Sequence, residues 1–193
     1  MSIFEFENEV PAQFAGAALG LTAELLRSEL ETHQIPSPAK IAEHALAFST
    51  HKPNPADTPN NRAAGRIVFL YDPTQHDAWG SNMRVIAYGK SPLESDVVED
   101  TDYANYWWGT LELALQNRGA KFSHSAGTIT KMISTGVGGL QNEPVHTEIE
   151  LRASWSPLED NLAPHFAAWQ DLIADMAGFH MGGEEVVKIA RAK

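Results

Sequence analysis

The stretch HTEIELRASW (His146–Trp155) decides the fold, because polar and apolar side chains alternate along its whole length. Successive side chains of a β-strand point to opposite faces of the sheet, so the alternation predicts a strand with one buried and one solvated face. The predicted buried side chains are Thr147, Ile149, Leu151, Ala153 and Trp155, and the predicted solvated ones are His146, Glu148, Glu150, Arg152 and Ser154. Such a strand is typical of an antiparallel sheet covered on one face.

Four other segments are predicted strands. RIVFLY (Arg66–Tyr71) and MRVIAY (Met83–Tyr88) are rich in β-branched and aromatic residues, and the turn-rich connection between them predicts a hairpin. Phe122–Ser134 is rich in Thr, Ser and Ile. IAEHALAFST (Ile41–Thr50) is a plausible first strand, although its alanines leave a short helix as an alternative.

Three helices complete the pattern. The first runs from Pro11 to about Glu31, where apolar residues recur at helical spacing. The second begins behind the acidic residues 100–102 and ends near Asn117, with an apolar face that includes Tyr103, Tyr106 and Trp107. The third begins at Asn161 or Pro164 and ends at Gly178. Its apolar stripe consists of Phe166, Trp169, Leu172, Ile173 and Met176.

The predicted fold class is therefore α+β. It is a mostly antiparallel five-stranded sheet with three flanking helices, in the order α-β-β-β-α-β-β-α, within a single domain over residues 1–193. The Pro- and Asn-rich residues 53–64 are expected to form a mobile loop, and residues 182–193 a less ordered tail.

Composition excludes several classes of function. The chain contains no cysteine, so thiolate catalysis and cysteine-based metal sites are impossible. Its formal net charge of −11 argues against nucleic acid or an anionic membrane as the main partner. The first ten residues, MSIFEFENEV, lack the positive charge of a signal peptide, and no apolar run is long enough to span a bilayer. We therefore expect a cytoplasmic protein.

Several stretches together are distinctive: GRIVFLYDP (65–73), AWGSNMRVIAY (78–88), NRGAKFSHSAGTITKM (117–132), EIELRASWSPL (148–158) and HFAAWQDLIADMAG (165–178). In these the chain resembles an actinobacterial family known only as domain of unknown function 3000. The resemblance implies an actinobacterial cytoplasmic protein and no activity. The element order is also similar to that of the small acidic type III secretion chaperones, which are dimers that bind polypeptides.

No motif identifies a catalytic or nucleotide site. Gly89-Lys90-Ser91 follows a strand, but a phosphate-binding loop needs a glycine where Arg84 stands. The glycines of Gly136–Gly139 lie between two strands, so they lack the helix of a dinucleotide fingerprint and are expected to form a turn. There is no Gly-x-Ser-x-Gly sequence, and no catalytic residue and no cofactor is predicted.

Two groups of side chains have a composition suited to metal ions. His146, Glu148 and Glu150 share one strand face, but their spacing of about 6 to 7 Å favours a ladder of charges paired across strands. Asp72, His76 and Asp77 form the second group, and turn formation around Pro73 explains the aspartate without a metal. We therefore predict no metal site.

The leading hypothesis is a non-enzymatic interaction or adaptor protein that binds a protein partner or a second copy of itself as a homodimer. Trp108 and Trp79 are the candidate interaction surface, because an exposed tryptophan is favoured at protein contacts. The alternative is a small-ligand-binding protein or enzyme with a site between the sheet and the Gly136–Gly139 loop. Its candidate binding residues are His124, His146, Glu148 and Arg152.

Overall fold

The structure of the chain is a computed structural model that describes residues 1–38, 40–53, 63–93 and 102–179. The strands are β1 (Glu31–Ile35), β2 (His44–His51), β3 (Ala64–Tyr71), β4 (Met83–Leu93), β5 (Phe122–Ser134) and β6 (His146–Pro157). The helices are α1 (Ala12–Ala18), α2 (His76–Trp79), α3 (Tyr103–Asn117) and α4 (Ala163–Met176).

The strands form one sheet in the order β1-β2-β3-β4-β6-β5, and every neighbouring pair is antiparallel. The predicted α+β class and the antiparallel sheet are thus confirmed. The predicted hairpin is confirmed by the register that pairs Tyr71 with Met83. The predicted counts are wrong, because the described residues form six strands and four helices.

One face of the sheet is covered by helices. Helix α4 packs over β2, β3 and β4, and α3 packs over β5 and against α4. The side chains of β6 that were predicted to be buried point into this layer, and none of them is more than 4% exposed. The alternation in the sequence therefore identifies the buried face of β6 correctly.

Helix α4 lies close to the sheet because two glycines remove side chains beneath it. Gly65 and Gly89 are paired across β3 and β4, and a β-carbon at either would come within 2.8 Å of the Ile173 side chain. The Trp169 indole donates a hydrogen bond to the backbone oxygen of Tyr88 at 3.4 Å. The helix thus contacts the strand backbone itself.

The extra strand and the short first helix share one cause. The predicted helix from Pro11 to Glu31 ends at Ala18, and Leu19 is 77% exposed. Residues 19 and 20 form a turn after α1, and a β-carbon at Gly20 would lie 2.9 Å from the Ala163 side chain, so the chain turns close against the start of α4. The residues after it then add β1 to the sheet edge, a pairing that the helical spacing of the sequence does not reveal.

A buried carboxylate ties this N-terminal segment to the helices. Asp171 of α4 is 2% exposed and accepts hydrogen bonds from Arg27 at 3.0 Å and from Arg118 at 2.6 and 2.8 Å. The pKa of both guanidinium groups is raised. The main cause for Arg27 is its hydrogen bond to Glu29, followed by that to Asp171, and the main cause for Arg118 is its hydrogen bond to Asp171. Three separate stretches of chain thereby meet at one charge.

The second predicted helix corresponds to α3, and part of its predicted apolar face is exposed. Trp107 is 9% exposed, as expected of a residue that faces the core, but Tyr106 is 55% exposed and does not face the sheet. The helix is followed by Gly119 with a positive φ of 69°, a left-handed conformation that glycine commonly adopts just after a helix. The helix that the sequence did not predict is α2, a single turn inside the β3–β4 connection.

Two predictions lie outside the described residues. They are the mobile loop, most of which falls on residues 54–62, and the tail over residues 182–193. Within the described ranges, no helix is long and apolar enough to cross a membrane.

Candidate binding groove on the open sheet face

The face of the sheet opposite the helices is open to solvent over its central part. We call it the open face. It carries the alternate residues of each strand that point away from α3 and α4, among them Arg66 of β3 and Ile86 of β4, both of which are exposed. The same alternation that buries one set of side chains therefore displays the other.

A groove of about 790 Å³ runs across the open face. Its lining comes from β1, β2, β3, β4 and β6, so it spans about 19 Å at the usual spacing between strands. We call it the open-face groove. Its lining side chains on the open face are His33, Ser49, His51, Ala64, Arg66, Val68, Ile86, Tyr88, Lys90 and Arg152.

One row of the groove is polar. The strand registers place His33 opposite Ser49, Ser49 opposite Arg66, Arg66 opposite Tyr88, and Tyr88 opposite Arg152. Directly opposed side chains in an antiparallel sheet lie about 5 Å apart. Five side chains able to form hydrogen bonds thus cross the sheet in a single line.

The next row along the strands is apolar. Ala47 of β2 pairs with Val68 of β3, and Val68 pairs with Ile86 of β4. Val68 is half-buried and Ile86 is 39% exposed. The open-face groove therefore offers a polar row and an apolar row side by side, which suits an amphipathic occupant.

Arg66 is the central charge of the groove and has no counter-ion. Within the ranges that the structure describes, its guanidinium forms no ion pair and no hydrogen bond. The neighbouring cations are paired: Lys90 with Glu148 at 3.3 Å, and Arg152 with Glu150 at 2.8 Å. The charge at the middle of the groove is thus available to an anionic group.

Tyr88 acts as a hydrogen-bond donor beside Arg66. Burial, then the hydrogen bond to Glu150, raises the pKa of its phenol to about 12. The hydroxyl therefore keeps its proton at neutral pH and donates it to Glu150 at 3.0 Å. The Arg152 guanidinium lies 5.9 Å from the centre of the Tyr88 ring, so the ring also supports that cation.

A second arginine of the open face, Arg84, has only neutral partners among the described residues. Arg84 donates to the backbone oxygen of His124 at 2.8 Å and to the hydroxyls of Ser156 at 2.9 Å and Ser154 at 2.7 Å. All three acceptors are neutral. Burial lowers the pKa of Arg84, which remains a cation because an arginine starts from so high a value.

The open face differs in charge from the rest of the chain. Its charged residues, apart from histidines, are the cations Arg66, Arg84, Lys90 and Arg152 and the carboxylates Glu31, Glu148 and Glu150. Four cations against three carboxylates make this face slightly positive, although the whole chain carries −11. Among the described residues, this face is therefore more favourable for an anionic group than the net charge of the chain suggests.

The four predicted ligand residues do not form one site. Arg152 lines the open-face groove, and Glu148 reaches its margin through Lys90. His146 is paired with Ser134 at the far end of β5, about 33 Å along the strand from His124. The two histidines therefore cannot bind the same small molecule.

His124 has a structural setting of its own. It lies in a bulge of β5 between Ser123 and Ala126 and has a positive φ of 51°. A β-carbon at Gly80 would lie 2.6 Å from its ring, so the ring packs on the turn after α2. The Gly136–Gly139 loop joins β5 to β6 at the opposite end of these strands, and its residues do not line the groove.

The two tryptophans of the predicted interaction surface are both half-buried. The Trp108 indole donates to Glu112 at 3.0 Å and lies against β5, where a β-carbon at Gly127 would come within 2.6 Å of it. Trp79 is the last residue of α2. Neither lies in the open-face groove, so an interaction through them would use a different surface.

The groove contains no arrangement typical of a catalytic centre. Ser49 contacts the His33 ring at 3.1 Å, but the carboxylate of Glu31 binds His51 instead, at 3.1 Å, and the two rings are 6.5 Å apart. A nucleophile, its base and an orienting acid are therefore not connected in series. Among the described residues, no group of three potential ligands could hold a metal ion.

No sequence motif contains Arg66 or Tyr88, and Lys90 belongs only to the Gly89-Lys90-Ser91 stretch, which lacks the first glycine of a phosphate-binding loop. The alternation within each strand nevertheless indicates which side chains share a face. It places Arg84 and Tyr88 on the same face of MRVIAY, and it separates Arg66 from the neighbouring Ile67 of RIVFLY. What could not be read from it is the register, which sets these side chains beside Arg152 of a strand distant in the sequence.

The fold and the groove define a two-layer α+β protein whose antiparallel sheet carries helices on one face and an open groove on the other. The chain belongs to the family described as protein of unknown function (DUF3000), whose model matches residues 10–184. The resemblance inferred from the sequence is thereby confirmed. No curated protein and no solved structure matches the chain.

Proposed function

We propose that this protein is a non-enzymatic adaptor that binds an acidic polypeptide segment in the open-face groove. The observation that carries the proposal is the Arg66 guanidinium, which lies at the middle of the groove without a counter-ion in the described part of an otherwise acidic chain. An anionic side chain placed there would gain an interaction that the protein itself leaves open.

The shape of the groove favours an extended polypeptide. It spans about 19 Å across five strands, which is the length of about six extended residues. Carboxylates of such a segment would meet Arg66 and Arg152, and apolar side chains between them would rest on Val68 and Ile86. The two rows of the groove match the alternation of an amphipathic strand.

The exposure of the lining residues also separates a polypeptide from a small ligand. A small-molecule site usually encloses its ligand and buries the polar groups that orient it. Here Arg66 is exposed and the Arg152 side chain is 67% exposed. A long occupant that covers the groove can desolvate these charges, whereas a compact one leaves them in water.

A small organic anion is the second candidate. The groove volume of about 790 Å³ falls in the range of ligand pockets, and three cations converge on it. This candidate moves the predicted ligand site from the Gly136–Gly139 loop to the centre of the sheet. A cytoplasmic location belongs to both candidates and rests on the absence of cysteine.

The test is Arg66-dependent capture in lysate of the native host, with a carbodiimide that joins a carboxylate of the partner to the amine of Lys90. Wild type is compared with Arg66→Glu and with Lys121→Glu, a matched charge reversal at an exposed lysine outside the groove. We expect a protein that cross-links to Lys90 through an acidic segment, is retained by the Lys121 variant and is lost with the Arg66 variant.

A synthetic peptide of the cross-linked segment should then bind wild type at least about tenfold more tightly than Arg66→Glu, since truncating or reversing a central interface charge costs more than 1.4 kcal/mol. A small-molecule adduct in native mass spectrometry that depends on Arg66 would replace the proposal by the second candidate. Nuclease-sensitive material, or no Arg66-dependent partner at all, would overturn it.

A further inference from the structure

The two edges of the sheet differ in how their backbone groups are protected. The edge strand β1 has five residues, begins with Glu31, and is joined through Gln34 to the backbone of Glu5 at 2.8 and 2.7 Å. The edge strand β5 has thirteen residues, and in the described part of the chain no strand pairs with its outer side. A long unprotected edge is a template for pairing with another strand.

The sequence of β5 has few of the features that prevent such pairing. It contains no proline, no aspartate and no glutamate, and Lys131 is its only lysine or arginine. A lysine, a proline or a short length normally protects an edge strand. The ammonium of Lys131 lies 5.4 Å from the centre of the Tyr103 ring, on the helical side of the sheet, so it does not guard the edge.

An exposed apolar surface continues from this edge. The β5–β6 hairpin carries five large apolar side chains at its distal end that are 41 to 77% exposed. They are Met132, Ile133, Val137, Leu140 and Val145. Exposed apolar side chains gathered at one end of a hairpin are candidates for a protein contact.

We propose that the outer edge of β5 pairs with β5 of a second copy of this chain, antiparallel, to form a dimer with a continuous sheet. A second copy is the occupant because each chain presents the same free edge, so one interface pairs the edges of both copies. Two chains of −11 repel each other, and β5 is a long edge at which they can approach without bringing carboxylates together. An antiparallel strand pair is also compatible with two-fold symmetry, so both copies use the same surface.

The regular part of β5 sets the pairing register. A bulge between Ser123 and Ala126 interrupts the strand, and from Ala126 to Ser134 the pairing with β6 is uninterrupted. Thr130 is the central residue of this stretch. A two-fold axis at Thr130 places Lys131 of each copy opposite Ile129 of the other, so that like charges are not directly opposed.

This dimer is independent of the proposed function and compatible with it. The open-face groove is lined by residues of β1 to β4 and of β6 and by none of β5. An axis perpendicular to the sheet keeps the helices of both copies on one side. The two grooves would then lie on the same face of the dimer, both open to their occupants.

The test is the mass of the full chain by native mass spectrometry and by light scattering over a range of micromolar concentrations. Wild type should have twice the mass of the 21.1 kDa chain. The variant Thr128→Lys/Thr130→Lys places two lysines of each copy on the exposed edge, of which the facing Glu150 can offset one. It should run at half the wild-type mass with an unchanged circular dichroism spectrum.

The matched control is Ala104→Lys/Gln116→Lys, which adds the same charge at exposed positions of α3 and should remain dimeric. Hydrogen exchange is the measurement that needs no variant: amides of residues 126–134 should exchange faster when wild type is diluted below its dissociation constant. A monomeric wild type, a dimer that survives the β5 change, or a foreign polypeptide released by that change would each overturn the proposal.

Discussion

The two faces of the sheet are built from alternate residues of the same strands, yet they have different tasks. On the covered face of the central strands the large side chains are fully buried, as Trp155 and Phe69 show at 1% and 0% exposure. On the open face Arg66 is exposed and Ile86 is 39% exposed. Stability is therefore concentrated on one face, and the other is free to carry charges that the fold does not need.

The largest loss of stability is expected on the helical side of the sheet, at Asp171. Replacing it by Ala leaves Arg27 and Arg118 without their shared buried carboxylate, and we expect a loss of about 3 to 5 kcal/mol in the free energy of unfolding. Urea unfolding measures the change. The control Asp77→Ala removes an exposed carboxylate and should alter stability by no more than about 0.5 kcal/mol. Equal effects of the two changes would contradict the buried network.

The buried histidine of the covered face makes stability depend on pH. His165 is 1% exposed and accepts a hydrogen bond from the Trp155 indole at 3.0 Å, and burial lowers its pKa to about 4. In the unfolded chain a histidine titrates near 6.5, so between these values the unfolded state binds more protons and stability falls as the pH falls.

From pH 7 to pH 5 the expected loss from His165 is about 2 kcal/mol in the free energy of unfolding. The variant His165→Asn keeps a side chain that can accept the indole hydrogen bond and removes this titration. Urea unfolding at both pH values should therefore show a smaller loss for the variant than for wild type. The same loss in both would show that the histidine does not titrate in this range.

A single methyl group tests how tightly α3 is joined to β5. A β-carbon at Gly127 would lie 2.4 Å from the backbone oxygen of Arg152 and 2.6 Å from the Trp108 ring, so Gly127→Ala should cost about 1 to 3 kcal/mol. Gly109→Ala adds the same methyl group to α3, where nothing lies within 4 Å. It should instead raise stability by about 0.5 to 1 kcal/mol. Opposite signs of the two changes are the expected result in thermal unfolding.

The smallest effect is expected on the open face. Arg66→Ala removes a side chain without an ion pair in the described part of the chain, so the free energy of unfolding should change by no more than about 0.5 kcal/mol. A loss above 1 kcal/mol would mean that the groove contributes to the fold. That result would remove the contrast between the two faces on which the proposed function depends.

Much of the fold could be predicted because its signals are local. The alternation in His146–Trp155 identified the buried face of β6, and the turn between RIVFLY and MRVIAY identified the β3–β4 hairpin. The first helix was wrong for the opposite reason. Apolar spacing from Phe14 to Leu25 satisfies a helix, whereas the chain turns at residues 19 and 20, where Gly20 packs beside Ala163, a residue far away in the sequence.

The residues of the candidate site were likewise predicted only in part. Arg152 was predicted from its position in an alternating strand, and it lines the groove. His124 and His146 were grouped with it by composition, and the length of β5 separates them. Arg66 and Tyr88 were not recognised, since neither belongs to a motif and their importance comes from the residues that lie opposite.

The sequence by itself determined the α+β class, the buried and solvated faces of β6, and family membership, because these depend on the order of residues along single elements. Only the tertiary structure decided which strands are neighbours. The order β1-β2-β3-β4-β6-β5 brings Arg66, Tyr88 and Arg152 into one row and leaves β5 at an edge. Apart from the β3–β4 hairpin, which its turn predicts, these neighbours are set by contacts between residues far apart in the sequence, and no local pattern encodes them.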